Sequence, residues 1–342
     1  MAEKGVPLNI SEEYYQISGS ILSSFPKYRP PLDLFQFKES IMQLVPYYSK
    51  GCRLSNEQVD EVAILCEEGN LFVSRADHSV YSVHIVKQLD LVLVDNNLKE
   101  SEVADICVEA LRQRLSDFFS QPVKAFYDLL EADVMVVTEY LWQDRYRMKL
   151  FLRRLWCGEY DLVRHSVNCL FLGLWLLDGH EGKEMKRKLL DDAALGFLLH
   201  DVGMTKIPAF ILNKNTPLKP DEKSKIPPHV LTGAAVLRKL DLVSKTIEQA
   251  TLEHQERLDG SGYPQRSKDL SPVGRISAVV DSFSAMLQTR PYAAAKSFAD
   301  AAGELSNSRQ LYDLTFSGAL LKAVIDNQMG SLKAQEKTGQ AG

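Results

Sequence analysis

Four histidines, His165, His200, His229 and His254, fall 35, 29 and 25 residues apart in a stretch whose apolar residues recur with a helical period. Each interval is about one helix plus a turn, so successive helices can each deliver one imidazole to a common interior point. Asp201 follows His200 directly, and Asp281 lies 27 residues beyond His254 in the apolar stretch "ISAVVDSFSAML". Neutral imidazole and carboxylate together favour borderline divalent ions such as iron, manganese, zinc or nickel over calcium or magnesium. Taken singly, each histidine reads as an ordinary hydrogen-bonded or surface residue; the signal lies in the set. Adjacent residues on a helix point about 100° apart, so His200 and Asp201 suit two ions about 3.5–4 Å apart, bridged by the carboxylate. The usual chemistry of such a pair is in-line attack of an activated water on a phosphate ester. Gly203 is expected to turn the backbone out of the helix beside that centre.

The hydrophobic period also divides the chain. Residues from about 30 to 95 mix strand-like runs, "LDLFQF", "NLFVSR" and "SVYSVHIV", with one helix, "SNEQVDEVAILCEEG". Ser55 stands at the N-cap of that helix with Gln58 in capping-box position, and Gly69 lies just past its end. From about Glu100 the pattern is helical, over 100–119, 122–157, 162–178, 183–200, 229–239, 243–256, 272–288 and 297–327. The expected fold class is α+β, a small N-terminal α/β module followed by an all-α helical domain. The expected divisions are a sensory or regulatory module over 1–99, connecting helices over 100–154, the site-bearing domain over 155–328, and a disordered tail over 329–342.

A net charge of −5 gives no broad pull toward duplex nucleic acid or an anionic membrane. The longest apolar run, "CLFLGLWLL" from Cys169 to Leu177, is nine residues, about half a membrane span, and reads as a buried helix. The N-terminal stretch has no apolar h-region. Five cysteines with no CxxC pair fit reduced thiols in the cytoplasm better than a disulfide framework or zinc knuckle.

The segments "RHSVN", "LLHDVGMTKIP", "PPHVLTGAAVL", "EHQERLDGSGYP" and "ISAVVDSFSAMLQTRPY" resemble, in order and spacing, the HD-GYP branch of the HD phosphohydrolases. The resemblance covers about residues 155 to 300, and "ERLDGSGYP" is its most specific part. It implies an HD-type helical domain and a metal-dependent phosphodiesterase acting on cyclic di-GMP in bacterial signalling. Two divalent transition-metal ions are implied, iron or manganese. His165, His200, Asp201 and Asp281 would hold the first ion, and Asp201 would bridge to a second held also by His229 and His254. Asp161 stands where three-metal members carry a glutamate, which would make it a ligand of a third ion. Asp201 and Arg290 are the expected catalytic residues, with Arg290 also contacting the substrate phosphate. Gly262, Tyr263 and Pro264 are expected on an exposed loop that docks a GGDEF-domain protein, and a homodimer is a further expected assembly.

Three positions depart from the family pattern. Met204 occupies the lysine slot after the HD pair and can neither donate to a phosphate nor orient a water. Gln255 replaces a histidine and is expected to weaken the second site as a neutral ligand. Ala293 stands where a basic residue commonly follows "RPY". These departures support two rivals: a degenerate domain that binds a cyclic dinucleotide or a partner protein, and a phosphohydrolase for another nucleotide.

Overall fold

The computed structural model describes residues 13–17, 19–23, 25–77, 80, 89–94, 97–212, 214, 216–217, 219–242, 244–290, 294–326 and 329. The fold is α+β, and the chain divides into two compact units, Met1–Ala110 and Leu111–Gly342. In the first, strands β1 (Tyr14–Gln16), β2 (Leu34–Lys38), β3 (Gln43–Tyr48) and β4 (Leu71–Ser74) form a wholly antiparallel sheet in the order β1-β4-β2-β3. Helix α1 (Asn56–Glu67) begins with the capping box legible in the sequence: the Ser55 hydroxyl accepts from the Gln58 N–H, and the Gln58 side chain accepts from the Ser55 N–H. Gly69, at φ +75°, then turns the chain into β4. The expected strand "SVYSVHIV" lies almost wholly outside the described residues, as does the tail after Met329.

Helix α2 (Glu100–Ser120) runs across the division between the units. The second unit continues with α3 (Lys124–Gln143), α4 (Leu162–Glu181), α5 (Arg187–Leu199), α6 (His229–Lys239), α7 (Lys245–Glu253), α8 (Pro272–Met286), α9 (Phe298–Asn307) and α10 (Leu314–Ile325). Two departures from the periodicity reading have local causes. The helix expected over 122–157 stops at Gln143, because Asp144 takes an extended conformation and its carboxylate caps a short 3-10 turn by accepting from the Tyr146 N–H. The stretch 297–327 is two helices, and Asp313 caps the second by accepting from the Thr315 N–H. No glycine or proline lies between Asn307 and Leu314, so composition does not mark that break.

Helix α4 forms the centre of this unit. Its residues from His165 to Leu174 are all buried, and it packs between α5 and α8. A helix apolar on every face is stable only when neighbours cover it all round. Helix α5 packs in turn on α7 and α3, and α6 lies against the 3-10 turn Val202–Lys206 that follows α5. Among the described residues, no helix is long and apolar enough to cross a membrane.

Candidate metal centre

Each histidine of the set enters the interior from a helix end or first turn. His165 lies in the first turn of α4, His200 directly follows α5, His229 opens α6, and His254 directly follows α7. All four are at most 3% exposed, with Asp201 at 6% and Asp281, on α8, at 7%. Helix ends suit this task because the backbone there leaves the helix and frees carbonyls to hold a side chain. The Nδ1 of His200, His229 and His254 lies 2.8, 2.7 and 2.7 Å from the carbonyl three residues earlier, of Phe197, Ile226 and Thr251. A carbonyl only accepts, so these Nδ1 atoms carry the proton and each neutral ring presents the Nε2 lone pair inward.

Asp201 stands between two pairs of imidazoles. Its Oδ2 is 3.6 Å from the Nε2 of both His165 and His200. Its Oδ1 is 3.2 Å from His229 Nε2 and 3.4 Å from His254 Nε2. Asp281 Oδ1 closes the first group, 3.2 Å from His165 Nε2 and 3.8 Å from His200 Nε2. The groups His165–His200–Asp201–Asp281 and Asp201–His229–His254 each have the geometry to hold an ion, and they share Asp201. The backbone makes the sharing possible: at φ −98° and ψ 14°, Asp201 has left the helix that His200 ends.

Without a cation, the donor set is short of partners. The Nε2 atoms of His229 and His254 are only 3.1 Å apart, and both point at the Asp201 carboxylate. Three lone pairs converge there, which a proton or a metal ion satisfies and a neutral network does not. His200 Nε2, His165 Nδ1 and Asp201 Oδ1 are buried without a hydrogen-bond partner. The residues present therefore fit a bound divalent ion in donor type, burial and convergence.

The electrostatics show the same demand for positive charge. Burial favours neutral carboxyls at Asp201 and Asp281. Nevertheless His200, His229 and His254 around the first, and His165 and His200 beside the second, hold both well below the usual carboxylate range. Burial also opposes a charge on His200, but Asp201 and Asp281 prevail and push it up to about 9. Burial likewise opposes a charge on His229, and Asp201 outweighs it and raises that imidazole. His254 is lowered, because burial, reinforced by the neighbouring His200, prevails over the opposing pull of Asp201.

Other expectations need correction. Gly203 does not serve to turn the chain out of a helix. A Cβ there would lie 1.9 Å from the His229 carbonyl oxygen and 2.7 Å from the Gly233 amide nitrogen, so the glycine lets α6 approach and bring His229 to Asp201. Asp161 caps α4 by accepting from the Arg164 N–H, and Arg164 Nε lies 3.4 Å from its other oxygen. Among the described residues, its carboxylate belongs to none of the groups of three or more ligands that could hold an ion. The Gln255 amide donates to Asp281 Oδ2 at 2.9 Å. It supports a carboxylate of the first group, contrary to the expected role as a second-site ligand. Met204 is buried with Ile207 and Ile211, against Leu162, Leu212 and Ile226, so the lysine slot faces an apolar cluster. Arg290 stacks over Tyr160, its guanidinium carbon 4.8 Å from the ring centre, just beyond the parallel pairing of strands β5 (Gly158–Glu159) and β6 (Gln288–Thr289). Ala293 lies outside the described residues.

The "DGSGYP" stretch is only partly the exposed loop expected: Asp259 and Ser261 are exposed, but the residues after them in the motif are covered. Gly262 is buried, and Tyr263 and Pro264 are half-buried. A Cβ on Gly262 would come within 2.5 Å of backbone atoms of Gln255, Glu256 and Arg257, and the Tyr263 ring stands edge-on to His229 with centres 6.3 Å apart. Glu256, a residue the sequence reading passed over, fixes the turn: it is 1% exposed and accepts from the N–H groups of Gln265, Arg266 and Ser267 at 2.6, 3.0 and 3.1 Å. Cys169, one helical turn beyond His165, was also missed. Its Sγ is 3.7 Å from His165 Nε2, and burial, then Asp281 and Asp201, push its thiol up.

Residues 175–316 match the family model for the HD domain. A cyclic di-GMP phosphodiesterase of Pseudomonas aeruginosa is 32% identical over 185 residues, 54% of this chain and 44% of that protein. A cyclic di-GMP phosphodiesterase of Thermotoga maritima is 34% identical over 143 residues, 41% of this chain and 38% of that protein. A 3'3'-cGAMP-specific phosphodiesterase of Vibrio cholerae is 40% identical over 100 residues, 28% of this chain and 19% of that protein. The matches thus span less than half the length of these relatives. The solved structure of an HDG"Y"P protein from Bdellovibrio bacteriovorus superposes with a TM-score of 0.60 at 16% identity, covering 92% of this chain and 100% of that one. That likeness shows a shared fold, and the family match shows that the chain carries an HD domain in its helical unit, similar in motif order to the HD-GYP proteins.

Proposed function

We propose that the chain is a metal-dependent phosphodiesterase that hydrolyses cyclic di-GMP in the cytoplasm, with two divalent ions, iron or manganese, held by the two groups that share Asp201. The observation that carries this reading is the Asp201 carboxylate, with one oxygen toward His165 and His200 and the other toward His229 and His254. Ions bound there would activate a water and neutralise charge on the phosphate oxygens. The chain's own residues do the positioning. The carbonyls of Phe197, Ile226 and Thr251 hold three imidazoles with Nε2 inward, and Gln255 orients Asp281. Arg290 is our candidate for contact with the substrate phosphate, a role suited to a planar guanidinium already aligned by Tyr160. The relatives named for cyclic di-GMP and for 3'3'-cGAMP support a cyclic dinucleotide as the substrate class. Five free thiols support the cytoplasmic assignment.

One observation favours a second reading, that of a dinucleotide-binding domain with little turnover: Met204 brings an apolar side chain where a lysine would bring a cation. A single assay separates the two. Purified protein given manganese or iron should convert cyclic di-GMP to its linear dinucleotide, and a chelator should stop the reaction. Tight binding of cyclic di-GMP with no linear product under either metal would refute the enzyme reading and leave the binding domain.

A further inference from the structure

His165 and His200 belong to two ligand groups, only one of which contains the carboxylates; the other is His165–Cys169–His200. Cys169 lies four residues after His165 on α4, so both side chains leave the same helix face, and it is 1% exposed. Its Sγ is 3.7 Å from His165 Nε2. Metal bonds of about 2.3 Å to sulfur and about 2.0–2.1 Å to nitrogen, at a tetrahedral angle, put those two atoms roughly 3.6 Å apart. The separation is thus the one a shared ion requires. A second observation is independent of the cysteine: His200 Nε2, on a ring 1% exposed, has no hydrogen-bond partner. The thiol's contact with the Val280 carbonyl, at 3.6 Å, is a weak one that a thiolate ligand gives up at little cost.

We propose that His165, Cys169 and His200 form a soft-metal site that takes a thiophilic divalent ion, zinc or cadmium. Binding forms a sulfur–metal bond and releases the thiol proton to solvent, one per ion. His165 Nε2, with a single lone pair, faces both Cys169 Sγ and Asp281 Oδ1, so an ion on the thiol side displaces the ion on the carboxylate side. Thiophilic ions are then antagonists of the centre, and harder ions such as manganese are its occupants. The inference rests on the proposed metal centre for the two imidazoles and the competition.

The test is a cadmium titration of the full-length, metal-free protein, followed by thiolate-to-cadmium charge-transfer absorption in the ultraviolet. A parallel titration with manganese is read by the spin-resonance signal of the free ion. The expected result is one cadmium–thiolate equivalent per chain, release of one bound manganese as cadmium is added, and at least tenfold weaker cadmium binding in Cys169→Ser, with manganese binding unchanged within twofold. Cys169→Ala, checked with Cys169→Ser for native circular dichroism, separates loss of the site from loss of the fold. A band of undiminished size in either folded variant would place cadmium on another cysteine and overturn the inference. Manganese binding with no cadmium band overturns it while leaving the proposed centre intact; a cadmium band with no manganese binding does the reverse.

Discussion

The substitution Gly203→Ala isolates the contact that brings the two halves of the centre together. The added methyl would lie 1.9 Å from the carbonyl oxygen of His229 and 2.8 Å from its carbonyl carbon, both backbone atoms that no side-chain rotation moves away. A methyl carbon and a carbonyl oxygen tolerate about 3 Å, so the turn after Asp201 and the start of α6 must separate by about 1 Å. Overpacking of this kind costs typically 1–3 kcal/mol, and the rigid partner argues for the upper end, roughly 2–3 kcal/mol. In a unit of this size each kcal/mol lowers Tm by about 2–4 °C, so a fall of roughly 4–12 °C is expected. The functional effect should be selective. His229 Nε2 is 3.2 Å from Asp201 Oδ1, and metal ligands hold their positions to within about 0.2 Å, so a shift of this size removes His229 from its group. His165, His200 and Asp281 lie on other elements and keep theirs. Differential scanning calorimetry with metal analysis should therefore find a lower Tm and about one ion lost per chain. A variant with the wild-type Tm and full metal content would refute this account of Gly203.

The metal-free protein should lose stability as pH rises from about 6.5 to about 9. His200 is raised from its ordinary value near 6.5 to about 9, so its protonated form stabilises the fold fully below the lower value and not above the higher, an effect on the order of 3 kcal/mol. Saturating manganese should abolish that slope, because the metal takes the proton's place; a metal-free Tm that stays flat across this window contradicts the assignment. Glu256→Ala should cost on the order of 3 kcal/mol, by stranding the N–H groups of Gln265, Arg266 and Ser267. It should also open the 257–267 segment to trypsin at Arg257 and Arg266; an unchanged cleavage rate would show that Glu256 does not hold the turn.

The sequence made the helical unit and the convergence of four histidines legible for a physical reason. Helical periodicity and an interval of one helix plus a turn both follow from local geometry, and the motif order did the rest. The Ser55–Gln58 capping box was legible for the same reason, since its partners lie three residues apart. What escaped was set by contacts distant in sequence. Gly203 looked like a helix terminator because its real neighbour, His229, is 26 residues away. Met204 looked like a missing cation because the cluster that buries it is assembled from Leu162, Ile211 and Ile226. Asp161 was expected as a ligand, and only coordinates show that its oxygens meet the Arg164 amide and guanidinium. Cys169 stands four residues from His165, a spacing that was readable, but an apolar run makes a cysteine look like core. The burial of Gly262 under Gln255 to Arg257 could not be read from a stretch whose composition suits an open turn.

The central claim is that one carboxylate serves two ions, and metal content tests it most directly. Elemental analysis of the protein prepared without chelator and loaded with manganese should give about two ions per chain. The same analysis of Asp201→Ala should give near zero, since each oxygen of Asp201 faces a different imidazole pair. Two ions per chain in the folded Asp201→Ala protein would contradict the bridging role and with it the two-ion centre.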